Sequence, residues 1–398
     1  MQRYNINIEQ SILDDLKVRI AGTRWTDEID NGKWEYGTNK KYLQELCNYW
    51  KDNFDWKAQE HYLNSFHHYK TRIDNTGIHF LHEKGRGTTT VPLLLIHGYP
   101  DSFVRFLKMI PLLTEPDENG FSFDLVIPSI PGYGFSDIPE ESGMNTKRIA
   151  DLFAKLMTKE LGYKKFISHG GDWGSGVTEQ LALYHENALL GIHLTDIPFQ
   201  HALAPLPDDA SGAEKKYIKN TGIWQQKEGA YSMIQSTKPQ TLAYGLNDSP
   251  AGLAAWILEK FRSWSDDDGN IENSFTKDEL LTNITVYWAT GTINAAFRLY
   301  NETMKAMMQA MYNPLTKLNP FDKTGSRSEV PAAFAIFPKD ISSPPEEFAA
   351  RFFNVQQWTA MPLGGHFAAM EQPGLLAANI REFAVSLVFS SVPPMSTA

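Results

Sequence analysis

The sequence predicts an α/β fold with a mostly parallel, doubly wound sheet and an inserted helical lid. Two continuous apolar runs, residues 91–96 and 123–128, have the composition of strands buried on both faces of a sheet. Helix-like stretches follow these runs, and such alternation is typical of a parallel sheet. A third strand-like run begins at Phe166 and ends in a glycine-rich turn around Asp172. Because ligands bind at the carboxyl ends of such strands, this turn is the first candidate site.

The composition excludes several classes of protein. The chain has 398 residues and a formal net charge of −10, which argues against nucleic acid as a partner because phosphates attract basic surfaces. Its single cysteine, Cys47, rules out an internal disulfide and fits a reducing compartment. The amino terminus has no apolar signal segment, and no apolar stretch has the length of a membrane span. We therefore expect a soluble, cytoplasmic protein without a membrane anchor.

The first part of the chain predicts a helical arm. Apolar residues recur at helical spacing over residues 8–20 and again over residues 42–50. The tryptophans of this segment favour a packing role, and an aromatic-rich arm could also serve an interface between copies of the chain. Residues 65–84 then alternate with a period of two, which predicts two strands joined by a turn at residues 74–77.

The rest of the chain predicts a sheet that is interrupted once. Strand–helix alternation stops after residue 194, and helices rich in Trp, Tyr and Met follow, as expected for a lid over a crevice. The sheet resumes with strand-like runs at residues 332–337 and 355–361 and closes with a helix at 375–388. The predicted parts are the helical arm (1–64), the first part of the core (65–194), the lid (195–319) and the second part of the core (320–398).

Three side chains at predicted strand ends form a catalytic pattern. Asp172 lies between Gly170 and Gly174, in the small-x-nucleophile-x-small pattern of a nucleophile elbow, with Asp in place of Ser. Asp340 and His366 follow later strands and stand 366 − 340 = 26 residues apart, enough for one helix and one strand. Nucleophile, acid and histidine in this order are typical of the α/β-hydrolase fold.

An aspartate nucleophile predicts a two-step reaction. Its ordinary pKa of about 3.9 leaves it ionised, so it can attack an sp³ carbon and form an ester without a base. His366, oriented by Asp340, would then activate the water that attacks the carbonyl carbon of Asp172. The backbone N–H groups of Tyr99 and Trp173 are the expected donors to the oxyanion. This chemistry implies no metal and no cofactor.

The residues alone leave two substrate classes open. A halide leaving group favours indole or amide donors, whereas the oxygen of an opening epoxide favours tyrosine hydroxyls. The pattern does not choose among the tyrosines of the predicted lid, which are Tyr217, Tyr231, Tyr244, Tyr287, Tyr300 and Tyr312.

Several motifs resemble the microsomal-type epoxide hydrolases, including the soluble fungal and bacterial members with the epoxide-hydrolase N-terminal domain. The loop at residues 97–103 is similar to the family's His-Gly-aromatic-Pro-Gly-Ser-Phe motif. Residues 170–175 resemble its nucleophile motif, and residues 364–373 resemble its catalytic-histidine motif. Trp34-Glu35-Tyr36-Gly37 resembles part of the N-terminal domain signature. The resemblance covers nearly the whole chain and is specific in combination.

The resemblance implies an α/β-hydrolase fold and an enzyme that converts an epoxide and water into a vicinal diol. It selects Tyr231 and Tyr300 as the donors to the epoxide oxygen, and Asp340 as the acid of the catalytic triad. The implied substrate is a small apolar epoxide. The alternatives are a haloalkane dehalogenase with the same nucleophile and a non-catalytic ligand receptor with this fold.

Two positions depart from the family pattern. Tyr99 stands where Trp is common, a change without consequence if only its backbone N–H acts. Asp101 stands where Gly is usual, and we expect it to alter the turn or add charge near the site.

Overall fold

The computed structural model describes residues 1–29, 33–203, 206–312 and 326–389. Nine strands of the described residues form one sheet. They are β1 (Gln2–Arg3), β2 (His68–Ile73), β3 (Thr76–Glu83), β4 (Thr89–Ile96), β5 (Phe121–Pro128), β6 (Phe166–Gly170), β7 (Leu189–Leu194), β8 (Ser328–Ile336) and β9 (Phe353–Ala360).

The strand order is β1-β2-β3-β5-β4-β6-β7-β8-β9. The pairs from β1 to β5 along this order are antiparallel, and the pairs from β5 to β9 are parallel. The predicted α/β-hydrolase fold with a mostly parallel sheet is therefore confirmed. The loops that follow β4, β6, β7 and β8 meet at one edge, where the carboxyl ends of the parallel strands converge.

Three helices form the start of the chain: α1 (Gln10–Ala21), α2 (Lys40–Asp52) and α3 (Trp56–Leu63). The side chains of Asn39 and Asp55 cap α2 and α3. This segment also contacts the helices that follow β7. The indole N–H of Trp50 donates to the hydroxyl of Thr285 at 3.0 Å, and the hydroxyl of Thr38 donates to the carbonyl of Ala255 at 2.6 Å.

The helices between the parallel strands alternate with them along the chain. Helices α4 (Met109–Thr114), α5 (Thr146–Lys155) and α6 (Trp173–Tyr184) lie between β4 and β7, and three more helices follow β8. The helix-like stretch predicted after the first apolar run is split into a 3-10 turn, Phe103–Phe106, and α4. Because α4 starts at Met109, Pro111 lies in its first turn, where a missing N–H costs nothing.

The hairpin between β2 and β3 is tighter than predicted. Ile73 pairs directly with Thr76, so only Asp74 and Asn75 form the turn rather than residues 74–77. Both have positive φ values, 46° and 64°, as a two-residue type I′ turn requires. Asn and Asp tolerate this conformation better than other non-glycine residues.

A layer of helices separates β7 from β8. Ser211 and Thr276 begin two of these helices with capping boxes, and proline occupies the first turn of two others. The layer comprises α7 (Gln200–Leu203), α8 (Gly212–Glu228), α9 (Ala230–Thr237), α10 (Pro239–Asp248), α11 (Pro250–Ser263), α12 (Lys277–Thr290) and α13 (Ile293–Tyr312).

The closing helices are α14 (Glu346–Ala350), α15 (Ala368–Glu371) and α16 (Pro373–Phe389). We call the helices α7–α13 the lid, and the boundaries predicted at residues 64, 194 and 319 stay a prediction. Residue 319 lies outside the described residues. In the described part of the chain, no helix combines the length and apolarity needed to cross a bilayer.

Candidate active site

The turn between β6 and α6 holds Asp172 in a conformation that few side chains adopt, with φ 56° and ψ −125°. Its neighbours must be small. A Cβ on Gly170 would lie 2.1 Å from the carbonyl oxygen of Gly174, and a Cβ on Gly174 would lie 2.1 Å from that of Ile96. The elbow therefore stores backbone strain of about 1–3 kcal/mol and projects the Asp172 carboxylate over the edge of the sheet.

His366 stands between two carboxylates. Its Nδ1 lies 2.7 Å from Oδ1 of Asp340, and its Nε2 lies 3.5 Å from Oδ2 of Asp172. The side chains of His366 and Asp340 are each 3% exposed. The structure thus brings the three predicted groups together in the order nucleophile, histidine, acid.

The pKa of His366 reflects these neighbours. Burial lowers it, but the negative charges of Asp340 and Asp172, together with the hydrogen bond to Asp340, outweigh burial and hold the pKa well above its ordinary value. Loss of either charge would therefore make the imidazole easier to deprotonate.

The loop after β4 supplies a backbone donor to the nucleophile. The N–H of Tyr99 donates to Oδ1 of Asp172 at 2.8 Å. A Cβ on Gly98 would lie 2.5 Å from the same carboxylate oxygen, so only glycine permits this approach. Trp173, the other predicted donor, is the first residue of α6 and lines the same cavity.

Two lid tyrosines from neighbouring helices line the cavity of the nucleophile. Tyr231 on α9 and Tyr300 on α13 line the cavity that contains Asp172. The ring of Tyr300 meets that of Trp173 edge-on at 4.6 Å. Burial raises the pKa of both phenols, and the negative charge of Asp172 adds to it. Both hydroxyls therefore keep their protons at neutral pH.

The remaining lid tyrosines lie elsewhere. Tyr244 is 71% exposed, and the buried hydroxyl of Tyr287 donates to the carbonyl of Asp101 at 2.8 Å. Tyr217 is buried but does not line the cavity. The side chain of Tyr312 lies outside the described residues.

The cavity above these groups has a volume of about 150 Å³. Its floor carries Asp172, Asp340 and His366, which come from the sheet loops. Its remaining wall is largely apolar and comes from the lid and from loops around it, with contributions from Phe199, Leu203, Trp224, Met304 and Met307. The cavity therefore presents a charged floor to an apolar guest.

Comparison with known proteins identifies the family. Residues 1–106 match the family described as epoxide hydrolase N terminus, and residues 91–224 match the alpha/beta hydrolase fold. A putative epoxide hydrolase of Stigmatella aurantiaca is 38% identical over 384 residues, which span 95% of this chain and 83% of that protein. The chain belongs to the epoxide hydrolase family.

Further relatives agree with this assignment. Epoxide hydrolase 1 of Sus scrofa is 37% identical, and the match covers 96% of this chain and 87% of the Sus scrofa protein. The crystal structure of juvenile hormone epoxide hydrolase from the silkworm Bombyx mori superimposes with a TM-score of 0.82 at 28% identity, covering 97% of this chain and 93% of that one. The protein is an enzyme that hydrolyses epoxides, and the dehalogenase and receptor alternatives are not favoured.

Asp101, the departure from the family pattern, forms a buried ion pair in this epoxide hydrolase. Its Oδ2 accepts from Nη1 of Arg105 at 2.6 Å, and its Oδ1 accepts from the N–H of Gly98 at 2.9 Å. Nη2 of Arg105 in turn donates to the carbonyl of His366 at 3.0 Å. The pair thus connects the loop of Tyr99 with the loop of His366.

Sequence reasoning missed one carboxylate of the site, Asp196. It follows β7, lines the cavity, and accepts the N–H of Asp172 on Oδ2 at 2.6 Å. Burial raises the pKa of Asp196 to about 7, and repulsion from Asp340 adds to it, whereas hydrogen bonds from Ser175 and Asp172 oppose it. Its place directly after a strand was a usable signal, but β7 itself was not assigned.

Asp196, Asp340 and His366 each bring one ligand atom within 4.8 Å of the others, and such a group could hold a metal ion. The hydrogen bond between Nδ1 of His366 and Asp340 fits proton transfer instead, because an ion bound at Nδ1 would displace it.

Proposed function

We propose that this epoxide hydrolase works through a covalent ester on Asp172. Oδ2 of Asp172 attacks one ring carbon of the epoxide, and the bond from that carbon to the ring oxygen breaks. Tyr231 and Tyr300 bind the ring oxygen, and one of them gives it a proton, which produces a hydroxyalkyl ester. Support comes from the position of both tyrosines on the wall of the cavity that contains the Asp172 carboxylate.

In the second step, His366 takes a proton from water, and the water oxygen bonds to Cγ of Asp172. The negative charge then develops on Oδ1, where the N–H groups of Tyr99 and Trp173 stabilise it. The bond from Cγ to the alkyl oxygen breaks, the imidazolium returns its proton to that oxygen, and the diol leaves. The carboxyl of Asp172 then passes its remaining proton to the tyrosinate formed in the first step, which restores the carboxylate and the phenol. The observation that carries this proposal is the geometry of Asp172, with Tyr99 N–H on Oδ1 and His366 near Oδ2.

The change in charge between the steps supports this division of labour. In the free enzyme, Asp172 helps to hold the pKa of His366 well above its ordinary value. Ester formation neutralises Asp172, so the pKa of His366 falls and the imidazole can act as a base. The base thus becomes available when the ester needs it.

A single turnover in ¹⁸O-water tests the covalent route. We expect the peptide containing Asp172 to gain label, because water attacks Cγ and leaves its oxygen in the carboxylate. Label that appears only in the diol contradicts the ester. Asp172→Asn is expected to abolish diol formation, and an assay for chloride release from haloalkanes checks the competing chemistry.

For the substrate we propose a small apolar epoxide. The apolar wall of the cavity supports this class. A panel of styrene-like, terminal-alkyl and terpene epoxides assayed for diol would rank the candidates. A preference for highly polar epoxides would contradict the proposal.

We also propose a cytoplasmic location, which the single cysteine and the acidic composition support. Cell fractionation with an antibody tests it.

A homo-oligomer through the aromatic-rich arm is a further proposal, and light scattering of the purified protein distinguishes it from a monomer.

A further inference from the structure

Asp196 has no role in the two steps described above, although it touches the nucleophile's backbone. Its Oδ2 accepts the N–H of Asp172 at 2.6 Å, so it supports the elbow from below. It also lines the cavity beside Asp340 and His366.

Two buried polar atoms of this group have no hydrogen-bond partner among the described residues. They are Oδ1 of Asp196 and Nε2 of His366. Leaving such atoms unpaired costs about 1–3 kcal/mol each, so a site that keeps both must use them in another state. One carboxylate oxygen of Asp196 lies within 4.8 Å of one ring nitrogen of His366, and both side chains line the same cavity, so the two residues are close enough to contact one water molecule.

We propose that Asp196 is a positioning residue that orients the water for ester hydrolysis. This inference rests on the proposed roles of Asp172 and His366. The water donates one O–H to Nε2 of His366 and the other to Oδ1 of Asp196. One lone pair of the water oxygen is then free to face Cγ of Asp172.

The chemical step stays balanced with this assignment. The proton that leaves the water goes to His366 and returns to the departing alkyl oxygen. Asp196 neither gains nor loses a proton, because it accepts the O–H bond that is kept. Asp196 instead fixes the orientation of the water oxygen that attacks the ester. Loss of such positioning can slow a reaction by about 100-fold.

Asp196→Asn separates this role from support of the elbow. The amide oxygen can still accept the N–H of Asp172, so the elbow keeps its hydrogen bond. The amide nitrogen, however, is a donor and cannot accept the O–H of the water. Ester formation should therefore be unchanged, whereas ester hydrolysis should slow by about tenfold to a hundredfold.

The experiment is a rapid-quench single turnover with styrene oxide, in which covalent ester and free diol are measured over time. The ester should accumulate in Asp196→Asn and remain transient in the wild-type enzyme. Asp248→Asn is the matched control, because it removes a carboxylate that is 79% exposed on α10. Its two rates should equal those of the wild-type enzyme.

Every other outcome overturns the inference. A wild-type rate of ester hydrolysis in Asp196→Asn means that Asp196 does not orient the water. An equal loss in both steps means that Asp196 only supports the elbow. If the Asn variant does not fold, Asp196→Ser replaces it, with the same selective slowing expected and the same two contradictions.

His366→Gln distinguishes failure of this inference from failure of the proposed function. If it accumulates ester while Asp196→Asn does not, the ester mechanism stands and only the role of Asp196 is lost. If neither variant accumulates ester, the covalent mechanism itself is wrong.

Discussion

Asp172 has two features that a serine nucleophile lacks. In the proposed mechanism it attacks without the help of a base, and its own Cγ is the carbon that water attacks in the second step. The histidine can therefore remain charged until the ester has formed. At the scale of single residues, one change of charge links the two proposed steps. When the ester neutralises Asp172, the pKa of His366 falls and the imidazole can act as the base.

The first prediction concerns the base. Replacing His366 by Gln should leave ester formation in place and slow ester hydrolysis by about 10²–10⁴-fold, because no group remains to take the proton from water. Mass spectrometry of the intact protein after mixing with an epoxide should show the added mass of the substrate. A variant that forms diol at the wild-type rate would remove His366 from this role.

The second prediction concerns the acids. Tyr231→Phe and Tyr300→Phe should each slow ester formation by about 100-fold, since each removes one donor to the developing alkoxide. The double variant should lose more than either single variant. Tyr244→Phe is the control, because this lid tyrosine is 71% exposed and should leave the rate unchanged. Equal rates in all variants would assign the proton to another group.

The third prediction concerns the buried ion pair of Asp101 and Arg105. Asp101→Gly introduces the residue that is common in the family but leaves the guanidinium buried and unpaired, at a cost of about 3–5 kcal/mol. The double variant Asp101→Gly/Arg105→Leu should recover part of that loss. Urea unfolding of both proteins measures the difference. A single variant as stable as the wild-type protein would show that the pair is dispensable.

At the scale of secondary-structure elements, the lid is fastened to the loop that carries His366. The carboxylate of Glu371 on α15 accepts the N–H groups of Asp266, Gly365 and Phe367 at 2.8–3.0 Å. In addition, the N–H of His366 donates to the carbonyl of Trp264 at 2.8 Å. The turn after α11 and the catalytic loop therefore form one hydrogen-bonded unit.

This unit leads to the fourth prediction. Glu371→Ala would leave three N–H groups without their acceptor, each costing about 1–3 kcal/mol, and should lower both the stability and kcat. Glu382→Ala, which removes an exposed carboxylate from α16, is the control. Thermal unfolding and diol formation are the two measurements. Unchanged values for Glu371→Ala would mean that other contacts hold the lid to the loop.

The elements also show what sequence could and could not predict. Apolar runs and glycine spacing predicted β4, β5, β6 and the elbow, because burial on both faces and a tight turn impose strong composition. Strand β7 was missed since Gly191 and His193 interrupt its apolar run. A Cβ at Gly191 would lie 2.6 Å from the side chain of Leu387 and 2.8 Å from that of Phe383, so α16 packs closely against this glycine. Asp196 was missed with its strand.

The triad and the two donor tyrosines were named from the sequence, the former by order along the chain and the latter by family resemblance. The connection of Asp101 with Arg105 and His366 could not be predicted in this way. The contact of Arg105 with His366 forms between segments that are far apart in the sequence and come together only in the folded sheet. No local sequence pattern therefore predicts it.

At the scale of the whole molecule, two pairs of buried histidines each join neighbouring strands of the sheet, β2 with β3 and β6 with β7. Nδ1 of His68 lies 2.9 Å from Nε2 of His79, and His169 lies 3.0 Å from His193 between their Nδ1 atoms. Burial lowers the pKa of His68 and His193 to about 4 and lowers those of His79 and His169 well below the ordinary value. These four side chains are therefore neutral in the folded protein.

The fifth prediction follows from their titration. Below pH 6.5 the unfolded chain binds protons at these histidines while the folded chain does not. The free energy of unfolding therefore decreases as the pH is lowered from 7 to 5. Each group contributes up to about 1.4 kcal/mol per pH unit. Burial also raises the pKa of Asp196 and Glu371 to about 7, and the pKa of His366 lies well above its ordinary value, so these three groups oppose the trend. They do not offset the four histidines and His82, whose pKa burial lowers to about 4.

Urea unfolding between pH 7 and pH 5 measures this dependence. The variant His68→Gln, whose amide can replace the hydrogen bonds of the imidazole to Leu63 and His79, should show a shallower slope than the wild-type protein. Identical slopes would assign the acid sensitivity to other groups.

The two sides of the cavity have separate origins in the fold. Its carboxylates and His366 come from loops fixed by the sheet, whereas most of its apolar wall comes from lid helices, whose proposed reacting groups are the hydroxyls of Tyr231 and Tyr300. Substitutions at Leu203, Met304 or Met307 can therefore accumulate without damage to the chemistry. Divergence within this family could proceed by remodelling the wall alone, and a directed-evolution library confined to those three positions should alter enantiopreference while every active member still forms its ester on Asp172.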